Sequence, residues 1–271
     1  MSSFVQEYSL INMNAFLANH AVFSIGDVRN FLSKQGSTNP NTRRSLLAYH
    51  SSRGRIISVR RGIYVSVPLN SSPKSFLAQP FLIAAKLTED SVLAYHTALE
   101  YHGKAYSTFS RLTYISEFRS KATRFQNYDF TCITQKMSDF GVEDHFQNGV
   151  VVRVTSLERT LVDVLDRPEF SGSWEEIWRS LESIEFFDLE KVVTYLKSLG
   201  NGTTAAKVGF FLDQHREELM VDEGTFKILK ILIPKQPHYM DRNSRSDGRL
   251  VSEWNLIVPK EIINRSWEEV L

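Results

Sequence analysis

Histidine and cysteine are the residues of this chain that most readily bind metals or act as nucleophiles, and their spacing favours neither role. None of the seven histidines stands four residues from another, as the two ligands of a helical zinc pair do. Cys132, the single cysteine, lies in a strand-like run with no histidine close in sequence, which predicts an inert thiol. His96 and Glu100 share a helix face, but no third ligand follows at a suitable spacing, so we favour a structural pair. We therefore expect neither a metal site nor a cofactor.

Acidic residues would serve a nuclease if they converged on a divalent metal beside a lysine. Asp222, Glu223 and Lys227 offer that combination within a few positions. Acids in the first turn of a helix also complement its dipole, and we favour this structural interpretation. The phosphate-binding pattern G-x-x-x-x-G-K-S/T and the serine motif G-x-S-x-G are absent from the sequence. We expect no catalytic residues and a protein that is not an enzyme.

Basic residues are concentrated near the N-terminus. Residues 1–70 contain eight lysines and arginines against two acids, a net charge of +6. Residues 71–271 contain 24 basic and 29 acidic residues, a net charge of −5. Such asymmetry is expected of a nucleic-acid-binding module joined to a different domain.

Three helices and a hairpin are predicted in the basic segment. Apolar spacing and capping residues predict helices over residues 9–18, from Ser24 to Gly36, and from Pro40 to about residue 53. Strands follow over 55–59 and 63–67, and Gly62 supplies the backbone freedom of the turn. This order is typical of a winged helix-turn-helix, whose third helix enters the major groove of DNA.

The third helix is predicted to present a polar, basic face to DNA. At about 100° per residue, Leu46, Leu47 and His50 share one side of the helix, and Asn41, Arg44, Ser45 and Ala48 share the other. Side chains near the start of such a helix reach base edges, and hairpin arginines contact phosphates or the minor groove. The candidate DNA-binding residues are Asn41, Thr42, Arg43, Arg44, Ser45, Arg53, Arg55, Arg60 and Arg61.

A polar joint at residues 70–73 predicts a boundary between a DNA-binding domain, residues 1–72, and a C-terminal domain, residues 73–271. Helices are predicted there over 75–87, 91–101, 156–166, 174–183, 189–199, 203–219 and 226–233, and strands over 111–116, 124–134, 150–155 and 252–258. The predicted fold class is α+β, an N-terminal winged helix-turn-helix followed by a larger mixed α/β domain.

The single cysteine, the lack of a signal peptide and the lack of an apolar run of about 18 residues indicate a cytoplasmic protein that contacts no membrane.

Four blocks of sequence follow one another along the chain: Arg53-Gly54-Arg55-Ile56 with Val59-Arg60-Arg61-Gly62-Ile63-Tyr64, Ala94-Tyr95-His96-Thr97-Ala98-Leu99 with His102-Gly103, Val154-Thr155-Ser156-Leu157-Glu158-Arg159-Thr160-Leu161-Val162-Asp163, and Trp254-Asn255-Leu256. In this order they resemble the AbiEi antitoxins of bacterial abortive-infection systems. The blocks cover most of the chain in the family's order. The stretch from Arg119 to Gly149 matches none of them.

The resemblance implies an antitoxin of a type IV toxin–antitoxin system, which is a form of phage defence. In such a protein a winged helix binds operator DNA and represses the protein's own operon. The C-terminal domain neutralises a nucleotidyltransferase-like toxin, encoded alongside, without forming a stable complex with it. The resemblance supplies no catalytic residues, so His96 and Glu158 are interpreted as structural anchors of their helices. Two alternatives stay open, a winged-helix nuclease and a transcription regulator that responds to a small ligand.

Overall fold

The computed structural model describes residues 13–136, 139–241, 247–265 and 267, and it shows a mixed α+β protein with three sheets among them. Contacts between residues divide the chain into two compact units. The first contains residues 1–93, 110–137 and 144–154, and the second contains residues 94–109, 138–143 and 155–271. The division of function between residues 1–72 and 73–271 stays a prediction. No helix in the described part of the chain is both long enough and apolar enough to span a bilayer.

The first unit begins with three helices and a small antiparallel sheet. The helices are α1 over residues 13–19, α2 (Ile25–Lys34) and α3 (Pro40–Ser52), and the strands are β1 (Val22–Ser24), β2 (Ile56–Arg60) and β3 (Ile63–Ser66). The strand order is β1-β3-β2. The predicted helices and hairpin are therefore present, while β1 was not predicted; residues 9–12 of the first predicted helix lie outside the described part.

Side chains visible in the sequence begin α2 and α3. The Ser24 hydroxyl accepts a hydrogen bond of 3.1 Å from the Asp27 N–H, and the Asp27 carboxylate accepts one of 2.7 Å from the Ser24 N–H, which completes a capping box. Asn39 Oδ1 accepts a 2.9 Å bond from the Asn41 N–H, and Pro40 occupies the first helical position. Gly62, with φ of 91°, makes the turn of the hairpin.

An apolar core holds these elements together. Its buried members come from all three helices, from β1 and from β2: Met13, Phe16, Leu17, Phe23, Val28, Leu32, Leu47 and Ile56. Tyr64 of β3 packs against this core, and the rings of Phe23 and Tyr64 stack with centroids 5.7 Å apart. Burial of these side chains fixes which face of α3 is left exposed.

The first unit also contains a helix and most of a six-stranded sheet of order β6-β7-β5-β4-β9-β8. These elements are α4 (Pro80–Lys86), β4 (Val92–Leu93), β5 (Arg111–Ser116), β6 (Thr123–Phe125), β7 (Tyr128–Thr134), β8 (Val142–Gln147) and β9 (Val150–Thr155). The helix predicted from residue 75 begins only at Pro80, because a residue before proline avoids the helical region. The single strand predicted over 124–134 is a hairpin, with Gln126 at a φ of 51° in its turn.

The second unit is mostly helical. Its helices are α5 (His96–Tyr101), α6 (Leu157–Asp166), α7 (Trp174–Glu182), α8 (Leu189–Leu199), α9 (Gly202–Gln214), α10 (Glu223–Leu232) and α11 (Lys260–Asn264), and its strands are β10 (His238–Tyr239), β11 (Gly248–Val251) and β12 (Leu256–Pro259). The helix predicted over 91–101 starts at His96, because residues 92–93 pair as β4. Buried Trp254 lies against Gly209, where any added Cβ would come within 2.1 Å of the indole ring.

Candidate nucleic-acid interface

Helix α3 exposes one polar face. Asn41, Arg44, Ser45 and Ala48 are exposed, whereas Leu47 and His50 are 8% and 2% exposed. The orientation of the helix predicted from its spacing is thus confirmed. No acidic residue occurs in α3, so no carboxylate of the helix itself opposes the charge of Arg43 and Arg44. The exposed face combines a guanidinium, an amide and a hydroxyl, which are the groups that read base edges in the major groove.

Thr42 and Arg43 are half-buried and stand between the exposed face and the core. At the other end of α3, the guanidinium of Arg53 lies over the ring of Tyr49, 5.2 Å from its centroid, and both side chains are exposed. The candidate residues of α3 are therefore an exposed group, Asn41, Arg44 and Ser45, and two residues at the edge of the exposed face, Thr42 and Arg43. Arg53 lies about three helical turns away from Asn41.

Arg60 and Arg61, adjacent at the hairpin turn, have different environments. Arg61 is exposed. Arg60 is half-buried, and its Nη1 donates to Ser120 Oγ at 2.9 Å and to Thr123 Oγ1 at 3.4 Å. Its Nη2 donates to the Leu87 carbonyl oxygen. Arg60 thus binds within the first unit, and only Arg61 presents its guanidinium to solvent from this turn.

Arg55 lies beside the core. It is half-buried and lines a groove of about 440 Å³ together with apolar residues that include Val67, Leu69 and Leu77. The structure therefore places Arg55 away from the exposed face of α3.

The described residues around the buried imidazole of His50 do not satisfy its ring nitrogens. Neither ring nitrogen has a hydrogen-bond partner among the described residues. Burial lowers the pKa of His50 below its ordinary value, and the nearby charge of Arg55 lowers it further. The neutral ring is thus the form that suits the core beneath α3.

An ion pair that the sequence did not reveal lies at the start of α2. Lys86 Nζ is 3.0 Å from the carboxylate of Asp27. Burial opposes ionisation of Asp27, but the Ser24 N–H and the Lys86 ammonium outweigh it, so the pKa of Asp27 lies below its ordinary value. The two residues are 59 positions apart, and no spacing pattern connects them.

In the second unit, His96 is held between two carboxylates. Its Nε2 is 3.0 Å from Glu176 Oε1 and its Nδ1 is 2.9 Å from Glu100 Oε1, while its ring stacks on Phe109 at 3.7 Å. Only 1% of His96 is exposed. Glu176 also accepts hydrogen bonds from the Ser107 N–H and hydroxyl, at 3.0 and 2.6 Å. This buried arrangement fastens α5 to α7 and leaves little access for a substrate.

The block around α6 forms a second buried network. Asp163 Oδ2 is 3.3 Å from Arg159 Nε, and its Oδ1 accepts a 2.7 Å hydrogen bond from the Tyr195 hydroxyl. Burial raises the pKa of Asp163 to about 6, even though Arg159 favours its ionised form. Glu158 accepts a 3.3 Å bond from the Asp188 N–H at the start of α8. Tyr195 and Asp188 thus connect α8 to α6, whereas the Arg159–Asp163 pair lies within α6.

The acidic residues that could suggest a nuclease instead stabilise the start of α10. Asp222 caps α10 by accepting bonds of 3.0 and 2.7 Å from the N–H and hydroxyl of Thr225, and Glu223 pairs with Arg216. The structural interpretation of this pair as a helix start is confirmed. Within the described ranges, no group of three histidines, cysteines or acids is placed to hold a metal ion.

Comparison with known proteins supports the architecture. No protein-family model matches the chain, and no curated protein matches it. The fold is similar to the crystal structure of the RV2827C protein from Mycobacterium tuberculosis, with a TM-score of 0.60 and 14% sequence identity over 91% of this chain and 90% of that chain. At this identity the likeness concerns the fold alone.

Proposed function

We propose that residues 13–67 form a winged helix-turn-helix that binds duplex DNA. Their order, α1-β1-α2-α3-β2-β3, is that of the winged-helix class, with α2 and α3 as the helix-turn-helix pair and the β2–β3 hairpin as the wing. The observation that carries the proposal is the exposed face of α3, where Asn41, Arg44 and Ser45 stand together without an acidic neighbour in the helix.

In this proposal α3 lies in the major groove with its N-terminal half against the bases. Asn41, Arg44 and Ser45 contact base edges, because they are exposed within the first two turns of the helix. Arg43 at the edge of α3 and Arg61 on the wing bind phosphates, which position the protein without reading sequence. Arg60 is assigned to internal structure, since its guanidinium is bound by Leu87, Ser120 and Thr123.

We further propose that the protein is an antitoxin that represses its own operon. Support comes from the resemblance to AbiEi antitoxins, whose blocks coincide here with buried contacts such as those of His96 and Asp163. Operator DNA is one partner, and a nucleotidyltransferase-like toxin, opposed without a stable complex, is the other. Repression takes place in the cytoplasm, where a bacterial operon lies. Asp222 and Glu223 do not support the nuclease alternative, because both residues stand at the start of α10.

The test combines operator binding with growth. For binding, the full chain is titrated with the promoter fragment upstream of its gene and with a random duplex of equal length. For growth, its gene is expressed together with the nucleotidyltransferase-like reading frame of the same operon. We expect preference for the promoter fragment and protection of growth. Lys197→Ala, which removes an exposed charge from α8, is the control and should change neither result. Equal affinity for both DNAs would refute the repressor, and absence of protection would refute the antitoxin.

A further inference from the structure

We propose that residues 117–122, the β5–β6 loop, form a second DNA-contacting element that acts beside the wing. This inference rests on the proposed DNA binding and adds to it a segment outside residues 1–72. The chemistry that the loop would recognise is the phosphate backbone of duplex DNA next to the site bound by α3. The sequence offered no motif for this loop.

Contacts of Arg60 place the loop at the wing. The Arg60 side chain extends from the end of β2 to Ser120 within the loop and to Thr123 just after it. The loop therefore lies one arginine side chain away from the wing turn that carries Arg61. Two basic side chains flank Ser120, namely Arg119 and Lys121, and both are exposed.

Positive charges outnumber negative charges at this junction, where the carboxylate of Asp90 accepts a 2.6 Å hydrogen bond from the Glu117 N–H. The hydrogen-bond acceptors of Arg60 are a carbonyl and two hydroxyls, so its positive charge is satisfied without a carboxylate. Glu117 is the one acid of the loop, which leaves the loop a net charge of +1. Arg61, Arg119 and Lys121 together make an exposed basic surface that extends from the wing across the loop, and the half-buried Arg60 links its two parts. Such clustering of basic side chains is typical of a protein surface that binds the phosphate backbone of DNA.

The neighbouring hairpin supplies a matched control. Arg124 follows Thr123 in β6, and successive side chains of a strand point to opposite faces, so Arg124 points away from Arg60. It is exposed, and its Nε is 3.7 Å from Asp129 Oδ1. Arg124→Ala thus removes one positive charge from the strand that follows the loop, at a residue outside the proposed surface.

The experiment measures how binding of the full chain to its promoter fragment depends on salt. Each phosphate contact contributes about −0.9 to the slope of log affinity against log salt. We expect Arg119→Ala with Lys121→Ala to make this slope shallower by up to about 1.8, on promoter and random DNA alike. Arg124→Ala should retain the wild-type slope, and Arg119→Lys with Lys121→Arg should restore it. Thermal melting checks that each variant is folded.

The outcomes separate this inference from the proposed function. If the wild-type chain shows no salt-dependent DNA binding, the proposed function fails and the loop proposal fails with it. If the wild type binds, Arg44→Ala weakens binding and the folded Arg119→Ala, Lys121→Ala variant keeps the wild-type slope, the loop proposal alone is overturned. An equal loss of slope in Arg124→Ala would also overturn it, because the effect would then reflect general charge.

Discussion

Arg60 Nη1 donates a 2.9 Å hydrogen bond to Ser120 Oγ, which joins the N-terminal hairpin to a loop 60 positions later in the chain. The adjacent Arg61 is exposed. Two neighbouring arginines that look equivalent in the sequence therefore have different tasks, one within the fold and one at its surface.

Replacement of the two arginines should separate stability from DNA binding. We expect Arg60→Ala to lower the free energy of unfolding by about 1–3 kcal/mol, because it leaves the Leu87 carbonyl, Ser120 and Thr123 without their donor. Arg61→Ala should change stability by less than about 0.5 kcal/mol and make the salt slope shallower by about 0.9. Chemical denaturation and salt titration measure the two effects. Equal stability of both variants would mean that the contacts of Arg60 contribute nothing to the fold.

Arg44→Ala should relax sequence preference at one base pair of the operator. A bidentate contact from arginine to guanine discriminates by about 1–3 kcal/mol, and Arg44 is the one arginine on the exposed face of α3. Binding to a set of operators with single base changes measures the effect. We expect the variant to lose discrimination at one position and to keep it at the others. The same loss of affinity on operator and random DNA would instead make Arg44 a phosphate contact.

His50 should make the stability of the first unit depend on pH. Its pKa is lowered in the folded state, so its contribution to stability is complete above the unfolded pKa of about 6.5 and declines as pH falls through the folded pKa. We expect His50→Phe to remove this decline, because an apolar ring suits a site that leaves both ring nitrogens unpartnered. Unfolding of both proteins between about pH 5 and 7.5 tests this.

The control for His50 is His145→Gln, which replaces an exposed histidine of the same unit and should keep the decline of the wild type. Operator affinity should fall over the same pH range, because His50 packs α3 against the core. If the free energy of unfolding changes with pH in parallel for the wild-type protein and the His50→Phe variant, the imidazole titrates without affecting the fold.

The sequence predicted those parts of the fold that depend on neighbouring residues. Ser24 and Asn39 mark the starts of α2 and α3 because capping is local, and the spacing of Leu47 and His50 gave the orientation of α3. Strand β1 was missed because three residues carry too little periodicity to detect. Arg60 could not be told from Arg61, since its acceptors come from Leu87, Ser120 and Thr123, which only the folded chain brings near.

Contacts between elements also explain what the sequence missed after the first hairpin. Residues 123–134 have one continuous strand-like composition, yet Gln126 adopts a positive φ that turns the chain back on itself. The β6–β7 pairing compensates for that unfavourable backbone, and such compensation does not appear in local propensity. The same limit applies to Lys86 and Asp27, whose ion pair joins α4 to α2.

Repression and protection should be separable in the full chain. Arg43→Ala with Arg44→Ala removes two positive charges from the start of α3, where one side chain is exposed and the other half-buried. We expect this double variant to lose repression of the operon and to keep protecting cells when it is expressed from an unrelated promoter. Operator binding and growth under toxin expression are measured on the same protein, and thermal melting confirms that it is folded.

Point variants suit this test better than a fragment that starts at residue 73, because such a fragment would cut through the first unit, which extends to residue 93 and resumes at 110. Lys197→Ala on α8 is the charge control, and it should leave both repression and protection at the wild-type level. If the folded Arg43→Ala, Arg44→Ala variant loses protection as well as repression, the basic face of α3 takes part in neutralising the toxin. If it loses repression alone, neutralisation depends on residues outside that face, and the two functions are carried by different parts of the chain.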